Sequence, residues 1–269
     1  MEDIQNLAKE GAAHITFGDP DFLNGPKHAV QIVEAMHREH PDLTFDFTAK
    51  VEHILKNREL FKIFSSCGCI FMISAIESFS NTVLDNLKKG HSQEDISTAL
   101  SILNEAGIAM RPSLVPFTPW TTLADYLFML EFINENGLID AIDPVQYTIR
   151  LLVPPGSALL SESAIQPYLG PLVQESFTYR WSHPDPRMDT LQKSVSQLVE
   201  TATQNEEDAE TIFYDIRELA HGLHENRPPR MIQHAPDLNR KKPPRLTEPW
   251  FCCAEPTEVQ FKVFQEPQI

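Results

Sequence analysis

From position 4 to position 153 the chain alternates two patterns of hydrophobic and polar residues. Short runs rich in β-branched and aromatic side chains occur at His14-Ile15-Thr16-Phe17, Leu43-Thr44-Phe45-Asp46-Phe47, Ile70-Phe71-Met72-Ile73-Ser74, Ile108 to Val115 and Val145 to Val153. Bounded by turn-forming residues, they predict five strands. Between them apolar residues recur at helical spacing, as in Ala29, Ile32, Val33 and Met36, or Ile96, Leu100, Leu103 and Ala106. Gly107 stands where the second of these helices should end. Regular alternation of strand and helix predicts βα units, with parallel strands joined by helical crossovers into an open doubly wound sheet or a barrel. In either architecture ligands are read where strands end and loops begin. That rule gathers residues 18–21, 48–50, 75–78, 116–118 and 154–156 around one mouth.

The pattern changes after Leu160, where Pro167, Gly170, Pro171, Pro184 and Pro186 interrupt it. Two helical stripes follow, Leu191, Val195, Leu198 and Val199 in one and Ile212, Ile216 and Leu219 in the other, which predicts a helical hairpin. From Asn226 to Trp250 the chain holds six prolines and the basic residues Arg227, Arg230, Arg240, Lys241, Lys242 and Arg245, so an extended basic linker lying along an otherwise acidic protein is expected. The division is therefore 1–160 as the main α/β body, 161–225 as a connection and helical hairpin, and 226–269 as linker and tail.

Charge and composition narrow the function. The 269 residues are 42% hydrophobic, enough for one full core. A formal net charge of −16 repels phosphate backbones and anionic lipid, so no nucleic-acid partner and no membrane partner is expected. No apolar run approaches the ~18 residues that span a bilayer, and the start Met1-Glu2-Asp3-Ile4-Gln5-Asn6 lacks the basic and apolar segments of a signal peptide. A cytoplasmic location with reduced thiols is the expectation. The four cysteines form two tight pairs, Cys67-Gly68-Cys69 and Cys252-Cys253, unlike a secreted disulfide framework.

The most specific local signal is His14 to Pro26, a strand running into the turn Gly18-Asp19-Pro20-Asp21. Gly18 permits close approach of the backbone to a ligand, and the two aspartates offer acceptors to an amine or a cation. The later ligands of an EF-hand are missing. Elsewhere, His221 and His224 sit at a helix end, where positive charge is favourable without any metal. Phe117, Trp120, Tyr126 and Phe128 read as core.

Taken in order, Gly18-Asp19-Pro20-Asp21-Phe22, Ala75-Ile76-Glu77-Ser78-Phe79-Ser80, the helix end Val83 to Ser92, and Ala106-Gly107-Ile108 followed by Pro112 to Trp120 resemble radical S-adenosylmethionine (SAM) enzymes. The tail Phe251-Cys252-Cys253-Ala254-Glu255-Pro256 resembles the ending of the group within that superfamily marked by a Cys-Cys-Ala-Glu-Pro or Cys-selenocysteine-Ala-Glu-Pro tail. The resemblance implies a partial (β/α) TIM-like barrel lacking its first strand, here strands two to six. It implies SAM as cofactor, a [4Fe–4S] cluster in the complete family member, and oxidoreductase-type radical chemistry through a 5′-deoxyadenosyl radical on an unknown small-molecule or peptide substrate. By the same resemblance Gly18-Asp19-Pro20 stands at the usual Gly-Gly-Glu position, whose backbone meets the SAM amino group, with Asp21 beside it. Lys50 and Glu77 end the next two strands and Arg111 lies in the one after, all as cofactor contacts.

One departure stands out. The sequence contains no Cys-x-x-x-Cys-x-x-Cys, and Cys67-Gly68-Cys69 offers two thiolates where three are needed. The chain therefore reads as a truncated form that does not itself ligate the cluster. A catalytically silent SAM-binding or regulatory homologue is the alternative, and a TIM-like metal-dependent lyase using Asp19, Asp21 and Glu77 is a third reading. Adjacent cysteines form a strained, easily reduced ring, so Cys252 and Cys253 are expected to act as a redox pair.

Overall fold

The computed structural model describes residues 1–229, 236–237 and 239–244. Cys252 and Cys253 lie outside the described residues, as does most of the tail. The described residues divide into two compact units that interleave in sequence, one holding 1–113, 137–142, 237 and 239–244, the other 114–136, 143–229 and 236.

The first unit is built on a four-stranded sheet, β1 (His14–Phe17), β2 (Thr44–Thr48), β3 (Cys69–Glu77) and β4 (Ala109–Leu114), in that order. β1 runs parallel to β2 and β2 parallel to β3. Helices α1 (Glu2–Lys9), α2 (Pro26–Glu39), α3 (Val51–Lys56), α4 (Leu60–Ser66), α5 (Asn81–Asn86) and α6 (Gln93–Ala106) precede β1 and connect the strands. The expected stripes are the buried ones: Ala29, Val33 and Met36 face inward on α2, and Ile96, Leu100 and Leu103 on α6. Gly107 ends α6 in the left-handed conformation at φ 73°. At the other end Ser92 and Asp95 form a reciprocal capping box, and those hydrogen bonds hold the Asp95 carboxyl below its ordinary range.

Alternation on β2 separates two chemistries. Phe45 and Phe47 turn to one face and are fully buried. Phe47 meets Phe22 at 4.9 Å and Phe64 at 5.4 Å, ring centre to ring centre, which binds the sheet to α4 and to the short turn of 3₁₀ helix Phe22–Asn24. Thr44, Asp46 and Thr48 turn to the opposite face. There Asp46, paired in register with Thr16, accepts hydrogen bonds from Thr16 Oγ1 (2.7 Å) and His14 Nε2 (2.8 Å).

Gly68 shows why the pair Cys67-Gly68-Cys69 has its middle residue. Its φ is 100°, and a Cβ there would stand 2.6 Å from the Leu43 carbonyl oxygen. Only glycine fits. Both flanking thiols are buried.

Part of the basic segment belongs to the first unit. Arg240 pairs in bidentate fashion with Asp140, Nε to Oδ2 at 2.6 Å and Nη2 to Oδ1 at 2.8 Å.

The second unit contains α7 (Leu123–Glu135), α8 (Pro186–Gln204) and α9 (Ala209–His224), with α9 packed on both others. The helical hairpin expected from the two stripes is α8 and α9. The strand expected over residues 145–153 is not formed. Pro144 has no N–H to give a sheet ladder and opens a 3₁₀ turn over Pro144–Thr148 instead, and the end of the run makes only isolated bridges, Phe117 with Arg150 in parallel among them. A short antiparallel hairpin, β5 (Leu169–Val173) and β6 (Thr178–Trp181), occupies a region read only as interrupted. Arg150 fastens it, stacking 3.5 Å over the Trp181 ring and pairing with Asp189 at 2.7 Å. Phe117 and Tyr126 are core, but Phe128 is exposed. Among the described residues no helix is long and apolar enough to cross a membrane.

Glu131 on α7 joins α7 to α9. Burial pushes its carboxyl up, but hydrogen bonds from Arg217 (2.8 and 3.1 Å) and His221 (3.1 Å) outweigh that and hold it below the ordinary carboxylate range. A depressed folded pKa contributes stability above the unfolded value, and the contribution fades as pH falls through the folded one. Glu131→Gln is therefore expected to cost about 1 kcal/mol at neutral pH. In urea titrations the gap from wild type should close as the pH falls below about 4.

Candidate functional site

Because β1, β2 and β3 are parallel and adjacent, the residues that follow them emerge at one edge of the sheet. The turn Gly18-Asp19-Pro20-Asp21 leaves β1, Lys50 caps α3 just past β2, and Glu77 is the last residue of β3.

The first turn is shaped from within: Asp19 Oδ1 accepts a hydrogen bond from the Asp21 backbone N–H at 2.8 Å. Gly18 needs no special backbone, since its φ is not in the left-handed region, and among the described residues nothing lies within 4 Å of where its Cβ would be. Neither conformation nor packing among the described residues calls for glycine there, which leaves open space against bare backbone. Asp21 is buried, and its carboxylate accepts from His53 Nδ1 at 2.8 Å, with Lys50 Nζ at 3.7 Å. His53 Nε2 in turn lies 3.3 Å from Glu52 Oε1.

Glu77 has φ 66°, unusual for a residue with a side chain, and the Ser78 N–H bonds back to the Ile76 carbonyl at 2.9 Å. This is a γ-turn of the strained positive-φ kind, a conformation costing on the order of 1–3 kcal/mol and concentrated at functional sites. The carboxylate is mostly buried and pairs with Lys89 Nζ at 3.1 Å. His91 Nε2 lies 3.3 Å from the same Ile76 carbonyl; burial pushes the imidazole pKa down and favours the neutral ring. Glu52 Oε2 lies 3.6 Å from the Cβ position of Gly90, one residue past Lys89. Asp21, His53 and Glu52 thus follow one another in a polar rim along this edge, and Glu77 pairs with Lys89 at the end of β3.

Arg111 is not brought to this rim by its position. It sits within β4 rather than at its end, is buried, and donates from Nη1 to the Pro244 carbonyl at 3.3 Å. Sequence reading missed His53, Glu52 and Lys89. His53 carried one faint signal, lying three residues past Lys50 on the helix that follows β2. Lys89 carried none, because twelve residues separate it from Glu77.

Two kinds of metal chemistry can be tested against these side chains. For a metal lyase, Asp21 and Glu77 already face His53 and Lys89, and among the described residues no group of three or more His, Cys, Asp or Glu is disposed to hold an ion. For an iron–sulfur cluster, the described thiols do not fit. Burial pushes the Cys67 thiol up, and burial together with the charge of Asp46 pushes Cys69 up strongly, disfavouring the thiolates such clusters require.

Sheet, crossover helices and rim define the class: an α/β protein with the fold of the radical SAM barrel enzymes. The solved structure of the cobalamin-dependent S-adenosylmethionine radical enzyme OxsB with aqua-cobalamin matches at a TM-score of 0.62 and 14% identity, over 82% of this chain and 42% of that one. The structure of OxsB with aqua-cobalamin and S-adenosylmethionine matches at 0.63 and 13% identity, with the same coverage. The chain thus spans less than half the length of the enzyme it matches. The radical S-adenosylmethionine methyltransferase TsrM from Kitasatospora setae matches over 51% of the chain at a TM-score of 0.44. No protein-family model matches the sequence, and no curated protein does.

Proposed function

We propose that the rim at the ends of β1, β2 and β3 binds S-adenosylmethionine, and that the chain is the SAM-binding portion of a radical SAM oxidoreductase of the Cys-Cys-Ala-Glu-Pro tail group. The observation that carries this reading is the open space at Gly18, beside a rim in which carboxylates and cations alternate. In this reading the backbone of Gly18-Asp19-Pro20 receives the amino group of SAM. Lys50, whose side chain is largely exposed, faces its carboxylate. Glu77, held in a strained turn, takes a hydrogen bond from the ligand in partial exchange for Lys89. Arg111 contributes from β4 once its contact with Pro244 is exchanged.

In a complete enzyme a [4Fe–4S] cluster supplies the electron for reductive cleavage of SAM. This sequence has no Cys-x-x-x-Cys-x-x-Cys, so radical chemistry needs a cluster-binding segment in addition to these residues. The task of the chain's own residues is to bind and orient SAM and to exclude water. We assign Cys252 and Cys253 a redox exchange with the substrate or a partner.

The test is calorimetric titration of the purified chain with SAM. Binding with a Kd below about 100 μM is expected, roughly −5.5 kcal/mol. Reductant should give no 5′-deoxyadenosine from this chain alone. A folded chain that shows no binding at about 1 mM SAM defeats the proposal.

A further inference from the structure

The rim contains a side chain whose geometry suits holding the site more than touching a ligand. Asp21 is buried, and a buried carboxylate needs a partner. Lys50 is a weak one: its ammonium is 3.7 Å away on a side chain 65% exposed, where water screens the pair. His53 is the stronger, 15% exposed, with Nδ1 at 2.8 Å from Oδ2 and 3.1 Å from Oδ1. Its other nitrogen faces Glu52 at 3.3 Å.

The connectivity gives that pairing its consequence. Asp21 closes the turn after β1, whereas His53 belongs to α3, which starts directly after β2. Glu52 Oε2 lies 3.6 Å from the Cβ position of Gly90, next in sequence to Lys89, which pairs with Glu77 at the end of β3. Asn57, one turn further along α3, donates from its side chain to the His53 carbonyl at 2.8 Å and firms the helix end that carries the ring.

We propose that His53 is the positioning residue of this rim: through Asp21 it fixes the Gly18-to-Asp21 turn against α3 in the shape that receives the amino end of the ligand. It acts through Asp21 and makes no contact with SAM itself. The inference rests on the reading that the rim binds SAM, but it makes a claim about the ligand-free protein that can be measured separately.

The experiment compares wild type, His53→Ala and His53→Asn. Asparagine keeps an N–H near the position of Nδ1, whereas alanine removes it. The first arm is hydrogen exchange and amide chemical shifts without ligand. His53→Ala should speed exchange at the amides of residues 18–21 about tenfold and move their resonances, with β3 unchanged, and His53→Asn should stay near wild type. The second arm is SAM titration, in which His53→Ala should lose about 10- to 100-fold in affinity and His53→Asn should lie within about threefold of wild type. Unchanged amides 18–21 in a folded His53→Ala overturn the inference, as does an asparagine variant that behaves like alanine in both arms. If wild type fails to bind SAM, the functional reading fails, and the first arm alone decides the role of His53. Should His53→Ala not fold, the asparagine variant, folded and wild-type in both arms, supports the inference; shifted amides at 18–21 in it overturn it.

Discussion

Replacing Gly18 with valine should abolish SAM binding while leaving the protein as stable as before. The two halves of that expectation come from one observation. Gly18 does not use left-handed backbone, and a Cβ placed on it meets no atom of the described residues within 4 Å. A β-branched side chain at the end of a strand therefore costs the fold little, within about 0.5 kcal/mol, and the Tm should move by no more than about 2 °C. The valine methyl groups, however, would occupy the space against the bare backbone of the turn. If a ligand makes its contacts there, at least one hydrogen bond between a charged group and the backbone is lost, worth about 1.5–3 kcal/mol or 10- to 100-fold in affinity, before steric exclusion is added. Alanine should give a smaller loss in the same direction. A Gly18→Val protein that binds SAM like wild type would move the ligand away from this turn.

The opposite signature is expected at Phe47. This ring has no exposed surface and lies against Phe22 and Phe64, while Phe45 is its neighbour on the same face of β2. Phe47→Ala removes a large buried ring and leaves a cavity, at a cost of about 3–5 kcal/mol, read as a drop of about 10 °C in Tm and a lower urea midpoint at unchanged slope. The damage should extend to the site, because Phe22, which leans on Phe47, directly follows Asp21. Lys50→Ala, at an exposed position on the same edge, is the control: below about 0.5 kcal/mol in stability. A Phe47→Ala protein within 1 kcal/mol of wild type would show that this aromatic layer does not hold the sheet to its helices.

Several local features were legible before any coordinates. β1 to β4 form within or close to the runs that predicted them, α2 and α6 bury the stripes with helical spacing, and Gly107 ends α6. Each is a property of a short window: side-chain direction alternates every residue in a strand and every 3.6 residues in a helix. The run at 145–153 failed because its composition favours a strand while Pro144 at its head removes a donor and opens a 3₁₀ turn. Phe128 was misread for a different reason: α7 is apolar on nearly every side, so its pattern does not say which side faces water.

The sequence by itself determined the βα alternation, the turn of glycine and aspartates after β1 and the absence of a three-cysteine cluster motif, because these are local facts of residue type and spacing. Tertiary structure alone decided that Asp21 meets His53, thirty-two residues away, that Glu77 meets Lys89 and sits in strained backbone, and that Arg240 reaches Asp140. Such pairings depend on how strands register and on where each crossover helix begins. A carboxylate and its cation therefore carry no mark of each other in sequence until the chain has folded.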